Sequence, residues 1–256
     1  MKTFCFTVDD NIRLFKELTE QNCEGLFDHP YLAMLFRLHK RFGVKVQLNL
    51  FYRMDGFDLS QMSDCYAEEW KQNSDWLKLS FHSDHENVCP YLDADYEEVY
   101  CDCNAVQQQI LRFASPNSLA KTTTVHYCQT TDQGLQALHD LGVKGLLGLF
   151  GTNQKPSTSY GMNEKAAADI RNGAVVLHRG MAVAPIDLVI NSVALGDLLP
   201  RISALFSHDA VHVMIHEQYF YEDYRAYQPD FEQKLTRVFT LLCDAGYESR
   251  FFEECL

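Results

Sequence analysis

Short apolar segments of two kinds succeed one another along this chain. Some alternate with period two and others repeat with period 3.6, a rhythm that limits the fold to β/α units around a parallel sheet or barrel. The period-two segments run Thr3 to Val8, Val44 to Phe51, Leu77 to His82, Thr122 to Tyr127, Gly145 to Phe150, Ile186 to Asn191, Val211 to His216 and Glu248 to Phe252. That is about eight strands, the number that closes a (β/α) barrel.

The intervening helices carry their own punctuation. Val99, Cys103, Val106, Ile110 and Phe113 form one inward stripe that Pro116 ends. Thr131 caps a helix facing the core through Leu135, Leu138 and Leu141, and Gly142 stops it. Pro229 fits the first turn of a last helix, which buries Phe231, Leu235, Val238, Phe239 and Leu242 before Gly246. Gly151 to Gly173 and Val175 to Ile190 break the rhythm, and in the second an Arg179-Gly180 turn reads as a hairpin; such insertions belong at one rim. No linker or repeat interrupts the chain, so residues 1–256 are expected to form one barrel domain.

Charge and cysteine usage narrow the function. Lys plus Arg at 22 against Asp plus Glu at 35 gives a net charge of −13, which repels polyanions and disfavours nucleic acid as a partner. No apolar run reaches membrane-spanning length, and the chain passes from Met1 to Asp9-Asp10 without room for a secretory signal, so a cytoplasmic protein is expected. Nine cysteines without paired C-x-x-C spacing then read as reduced thiols. Cys101 and Cys103 lie in a helical pattern that splays them apart, and they are read as core or surface groups, not zinc ligands.

Barrel chemistry is built at the carboxyl ends of strands. Here those ends carry Asp9-Asp10, then His82-Ser83-Asp84-His85-Glu86, then His126-Tyr127, with Asp187 on the sixth strand and His216-Glu217-Gln218 after the seventh. Any one of these has an ordinary structural explanation, as a helix cap or a core histidine. Their coincidence at one rim points to a site. His208, His212 and His216 do not form a metal-binding stripe. They lead into or lie on a strand, where four residues span about 13 Å.

Phe6-Thr7-Val8-Asp9-Asp10 resembles the T-F-D-D motif of polysaccharide deacetylases, the family 4 carbohydrate esterases. His82-Ser83 resembles the opening of their H-S/T-x-x-H motif, and His216 falls where that family keeps a histidine in its last motif. The resemblance implies a deformed deacetylase barrel of seven to eight strands that hydrolyses an amide, N-acetyl or N-acyl, of a small or carbohydrate substrate. It implies Asp9 as general base, His216 as general acid, and Asp10 and His82 as ligands of a divalent metal, zinc first, with nickel, cobalt or iron as alternatives. The third ligand is His85 or Glu86, because the family's second histidine stands four residues after its first and Glu86 occupies that place here. The family's arginine motif has no counterpart at Thr124 to Tyr127, so His126 fills that space as a substrate or metal contact. Tyr127, Asp187 and Glu217 complete the expected substrate-side residues, and Glu217 is also positioned to keep the His216 imidazole protonated. The alternative is a deacetylase-like barrel that has lost catalysis and binds a sugar or metabolite. A glycosidase fits poorly, because Asp9 and Asp10 are adjacent, whereas acid and nucleophile flank the scissile bond.

Overall fold

The computed structural model describes residues 2–21, 23–86, 90–151 and 158–256. The chain opens with β1 (Lys2–Asn11), α1 (Arg13–Gln21), α2 (Pro30–Phe42), β2 (Val46–Phe51) and a small hairpin of β3 (Arg53–Met54) and β4 (Phe57–Asp58). It continues through α3 (Ala67–Gln72), β5 (Leu77–Ser83), α4 (Tyr96–Phe113), β6 (Thr122–Thr123), α5 (Asp132–Asp140), β7 (Gly145–Gly148) and α6 (Glu164–Arg171). The last part holds β8 (Val176–His178), β9 (Met181–Pro185), β10 (Leu188–Val189), α7 (Leu198–Ser203), β11 (Ala210–His216), α8 (Phe231–Asp244) and β12 (Tyr247–Ser249).

Apart from the β3-β4 hairpin, two sheets carry these strands. One has the order β10-β11-β1-β2-β5 and the other β6-β7-β9-β8. Backbone bonds join them where Ala120 donates to Leu79 on one side, at 2.8 Å, and Ile186 donates to Gly148 on the other, at 2.7 Å. The outcome is a deformed (β/α) barrel wrapped by helices. The helix stripes are buried as the periodicity requires: Val99, Cys103, Val106, Ile110 and Phe113 on α4, and Phe231, Leu235, Val238, Phe239 and Leu242 on α8. Thr131 caps α5 by accepting from the Gly134 amide, and Gly142 and Gly246 take the expected left-handed φ of 85° and 82°.

Three expectations need correction. The segment Met181–Pro185 is not merely one arm of an inserted hairpin. It pairs antiparallel with β8 through a turn at Arg179 and Gly180, and parallel with β7, so it is a barrel strand. Glu248 to Phe252 is not an eighth barrel stave, since β12 is only a short strand beside the first residues of β1. Pro229 precedes α8, whose N-cap is Asp230. Of the Gly151 to Gly173 insertion, residues 152–157 lie outside the described residues, and its later part forms α6.

Two irregularities in register position the site. Between Val8 and Asn11, β1 advances three residues while β2 advances two, from Leu48 to Leu50. Between Phe81 and Ser83, β5 advances two residues while β2 advances one, from Leu50 to Phe51. Each extra residue is a bulge, which breaks the in-out alternation and re-aims a side chain.

Candidate metal centre and catalytic rim

Asp9 and Asp10 together oppose Asn49 at the β1 bulge. Asp10 takes φ of 63°, a left-handed conformation that costs a non-glycine residue free energy and concentrates at functional sites. Both carboxylates are buried. His82 is the bulged residue of β5 and is buried as well.

The third histidine arrives by a different route. After β6 the chain makes a tight turn in which Tyr127 and Cys128 have φ of 59° and 55°, and this turn delivers His126. The His82 Nε2 atom lies 3.1 Å from Asp10 Oδ1 and 3.1 Å from His126 Nδ1, and the third side of the triangle is 3.4 Å. Asp10, His82 and His126 are the one group of potential ligands that converges in this way among the described residues.

That triangle fits a metal ion. Ligand atoms 2.0–2.1 Å from a tetrahedral zinc stand about 3.3 Å from one another, close to the separations seen. The supporting contacts suit the same purpose. His82 Nδ1 donates to the Thr124 carbonyl at 2.5 Å, which fixes the tautomer and leaves Nε2 as the ligand atom. Asp10 Oδ2 accepts from Gln218 Nε2 at 2.6 Å, leaving Oδ1 toward the two imidazoles. Burial works to raise the Asp10 carboxyl, but the hydrogen bond from His82 and the imidazoles of His216, His82 and His126 hold it well below the ordinary carboxylate range. Burial opposes charge on His82, and the carboxylates of Asp9 and Asp10 outweigh it and raise that imidazole.

Asp9 stands beside the cluster, held by a relay of amides. Thr122 donates to Gln47, Gln47 donates to Asn49 at 2.8 Å, and Asn49 Nδ2 donates to Asp9 Oδ1 at 2.7 Å. Burial pushes the Asp9 carboxyl up, despite His82, His216 and Asn49. His216 is half-buried at the end of β11, and its Nδ1 donates to Asn191 Oδ1 at 2.9 Å, which leaves Nε2 for other partners.

The remaining expected residues divide. His85 and Glu86 are not in the ligand triangle. They line a cleft of about 600 Å³ shared with Asp10 and Gln218, and His85 Nδ1 is turned to Asp84 at 2.7 Å. Tyr127 is half exposed, with its ring 4.5 Å from that of His126. Asp187 is not at the rim. It precedes β10 and bonds the His212 backbone, so it sits four residues below His216 along β11, about 13 Å toward the opposite end. Glu217 does not hold the His216 imidazole. It is sealed against the start of α1, accepting from the Ile12, Arg13 and Leu14 amides at 2.9, 3.1 and 2.7 Å and from Tyr221 Oη at 2.8 Å. Because α1 has no acidic residue in its own first turn, Glu217 supplies the acceptors its first amides need, although burial raises this carboxyl to about 7 against the hydrogen bonds it accepts.

The sequence reading missed Asn49, Gln218 and Asn191. One signal was available for the first: Gln47 and Asn49 are polar at consecutive inward positions of an otherwise apolar strand.

No protein family model matches the chain, and no curated protein matches its sequence. Among solved structures, a family 4 acetyl xylan esterase from Clostridium thermocellum, in complex with a cobalt ion, matches at TM-score 0.53 and 12% identity, over 99% of this chain and 89% of that one. The chain has the fold of the family 4 carbohydrate esterases. The Xyl-CE4 domain of a multidomain xylanase from the hindgut metagenome of Trinervitermes trinervoides agrees, at TM-score 0.53 and 11% identity over 99% and 88% of the two chains. The 4-alpha-glucanotransferase of Thermococcus litoralis has TM-score 0.65 and 12% identity, covering 99% of this chain and 40% of that one. At these identities the likeness is one of fold, and it says nothing of chemistry.

Proposed function

We propose that this protein is a metal-dependent hydrolase that cleaves an N-acetyl or other N-acyl amide bond of a small or carbohydrate substrate. The observation that carries the reading is the Asp10, His82 and His126 triangle standing beside a buried second carboxylate, Asp9. Those three residues would hold a divalent ion, zinc by preference for a donor set of two imidazoles and one carboxylate, with nickel, cobalt or iron as alternatives. When bound, such an ion lowers the pKa of a coordinated water and polarises an acyl carbonyl.

The chain's own groups supply the proton transfers. Asp9, oriented by Asn49, takes the proton of the attacking water. His216, with Nδ1 committed to Asn191, gives the proton from Nε2 that a poor amine leaving group requires. Gln218 keeps Asp10 in its ligating orientation. His85, Glu86 and Tyr127 stand on the substrate side of the cleft or beside it.

Glycosyl chemistry is less well supported. The strand-end carboxylates Asp9 and Asp10 are consecutive on one strand, and Glu217 is engaged by three amides at the start of α1 and by Tyr221, so no pair of these flanks a scissile bond. No helix among the described residues is long and apolar enough to cross a membrane, and a cytoplasmic setting is part of this proposal on the ground of nine cysteines without paired C-x-x-C spacing.

The test is metal analysis of protein purified without chelator, followed by acetate release from a panel of N-acetylated sugars and amino acids. Bound metal with acetate release supports the hydrolase. Bound metal with saturable sugar binding and no turnover selects the inactive carbohydrate-binding alternative. A protein that takes up no divalent ion overturns both the centre and the reaction.

A further inference from the structure

At the opposite end of the barrel from the metal centre, the last residues of the chain cross the base. After β12 a 3₁₀ turn, Phe252–Cys255, lays the Phe252 ring against that of His212 at 5.1 Å. Glu253 is paired with Lys78 beneath β5 and accepts from the Lys121 amide, and Glu254 is paired with Lys45 at 2.6 Å. The segment is thereby pinned under β2, β5 and β6 at once.

His212 is the register partner of Cys5 on the neighbouring strand β1. Residues three apart eclipse in a 3₁₀ turn, so Cys255 lies on the face of Phe252 that meets this pair of strands. The Cys255 Sγ donates to the Phe251 carbonyl at 3.6 Å, and the side chains of Cys5 and Thr3 on β1 are near enough to act on its charge. The two sulfurs differ in access: Cys5 is buried, whereas Cys255 is exposed and lines a cleft of about 590 Å³ together with Lys144 and Leu177.

We propose that Cys5 and Cys255 are a redox modification site that a hydroperoxide converts into an intramolecular disulfide bridging β1 and the C-terminal turn. The exposed partner reacts first, and the buried partner resolves it. The Cys255 sulfur attacks the terminal peroxide oxygen and the O–O bond breaks. The departing oxygen takes the thiol proton as an alcohol or water, leaving a sulfenic acid. The Cys5 sulfur then attacks the Cys255 sulfur, the S–O bond breaks, and the hydroxyl leaves as water with the Cys5 proton. Two thiols are oxidised by two electrons and one hydroperoxide is reduced. The chemistry of Cys255 agrees with its role, since the neighbouring Cys5 side chain lowers its thiol to about 7, raising the thiolate fraction that reacts.

Trypsin separates the two sulfurs cleanly, because Lys2, Arg13 and Arg250 place Cys5 in the peptide 3–13 and Cys255 in 251–256. The full chain is treated with one equivalent of hydrogen peroxide, with and without chelator, its free thiols are blocked, and it is digested without reductant. The expected product is the two peptides joined, two mass units below their sum and split by reductant. Cys255→Ser should leave peptide 3–13 reduced, and Cys5→Ser should accumulate a dimedone-reactive sulfenic acid on 251–256. Recovery of wild-type 251–256 unmodified, or as sulfinic acid without the cross-link, overturns the proposal even if neither variant folds.

Discussion

Asp9 and His216 are register partners on the adjacent parallel strands β1 and β11, so their side chains emerge on the same face of the barrel, next to each other. The rim therefore does not set the proposed base and acid on opposite walls. They stand as neighbours, with Asn49 holding one from the β2 side and Asn191 holding the other. A water and a leaving nitrogen on the same tetrahedral carbon are close together, so this spacing suits a base and an acid that act on one centre in succession.

Burial raises the Asp9 carboxyl, so the acidic limb of kcat/KM against pH should report Asp9 and lie above the ordinary carboxylate range. His216→Asn should lower kcat by about 10² to 10⁴, the usual worth of one general acid, while metal content stays unchanged. Loss of metal from that variant would make His216 a ligand and leave the acid to be found elsewhere.

The ligand triangle predicts a contrast between two nearby histidines. His126→Ala should abolish stoichiometric metal binding, whereas His85→Ala should keep it, because the His85 ring is engaged by Asp84 outside the triangle. The adjacent aspartates divide in the same way: Asp10→Ala should empty the centre and Asp9→Asn should keep the metal but not turnover. Metal analysis of the four purified variants decides both contrasts, and a His85→Ala protein without metal would reverse the first.

How far the sequence reaches can be judged from these residues. Asp9, Asp10, His82 and His216 are legible because polar groups at the ends of apolar period-two runs are unusual. The choice of His126 over His85 is not legible. It depends on one extra residue in β5 and on left-handed turns at Tyr127 and Cys128, and neither residue type marks a bulge or a positive φ. Glu217 looked like a partner for its neighbour His216, but it caps a helix about two hundred residues earlier in the chain, a contact that no local pattern encodes. The helix stripes read correctly because burial imposes them at each turn. The β9 strand was hidden because its five residues, Met181–Pro185, serve a hairpin on one edge and the barrel on the other.

Glu217 supports a stability prediction that is separate from catalysis. Each of its oxygens accepts two hydrogen bonds, and a glutamine there must turn an N–H₂ group toward donors, leaving amides at the start of α1 unsatisfied. Glu217→Gln should cost roughly 1–3 kcal/mol in chemical denaturation, the range for a buried unsatisfied group. A variant as stable as the wild type would show that the helix start is satisfied in another way.

His212 gives a prediction in pH. Burial lowers its imidazole from 6.5 to about 4, so the folded protein keeps it neutral where the unfolded chain would protonate it. Below pH 6.5 the unfolded state binds the extra proton, and stability must fall as pH drops toward 4. The groups around it are Asp187 at its backbone and 3.8 Å from its ring, Cys5 as its register partner, and His208 on the other Asp187 oxygen. Asp187 acts with the opposite sign. Burial raises its carboxyl to about 6, so the folded state holds a proton that the unfolded chain releases, and acidification through that window stabilises it. The wild-type curve is the sum of opposing slopes, and His212→Gln removes only one of them. Between pH 7 and pH 4 the variant should therefore lose up to about 3 kcal/mol less stability than the wild type, measured by urea denaturation at each pH. Parallel curves for the two proteins would mean that the His212 imidazole is protonated equally in the folded and unfolded states, and that its burial at the base of the barrel does not control its charge.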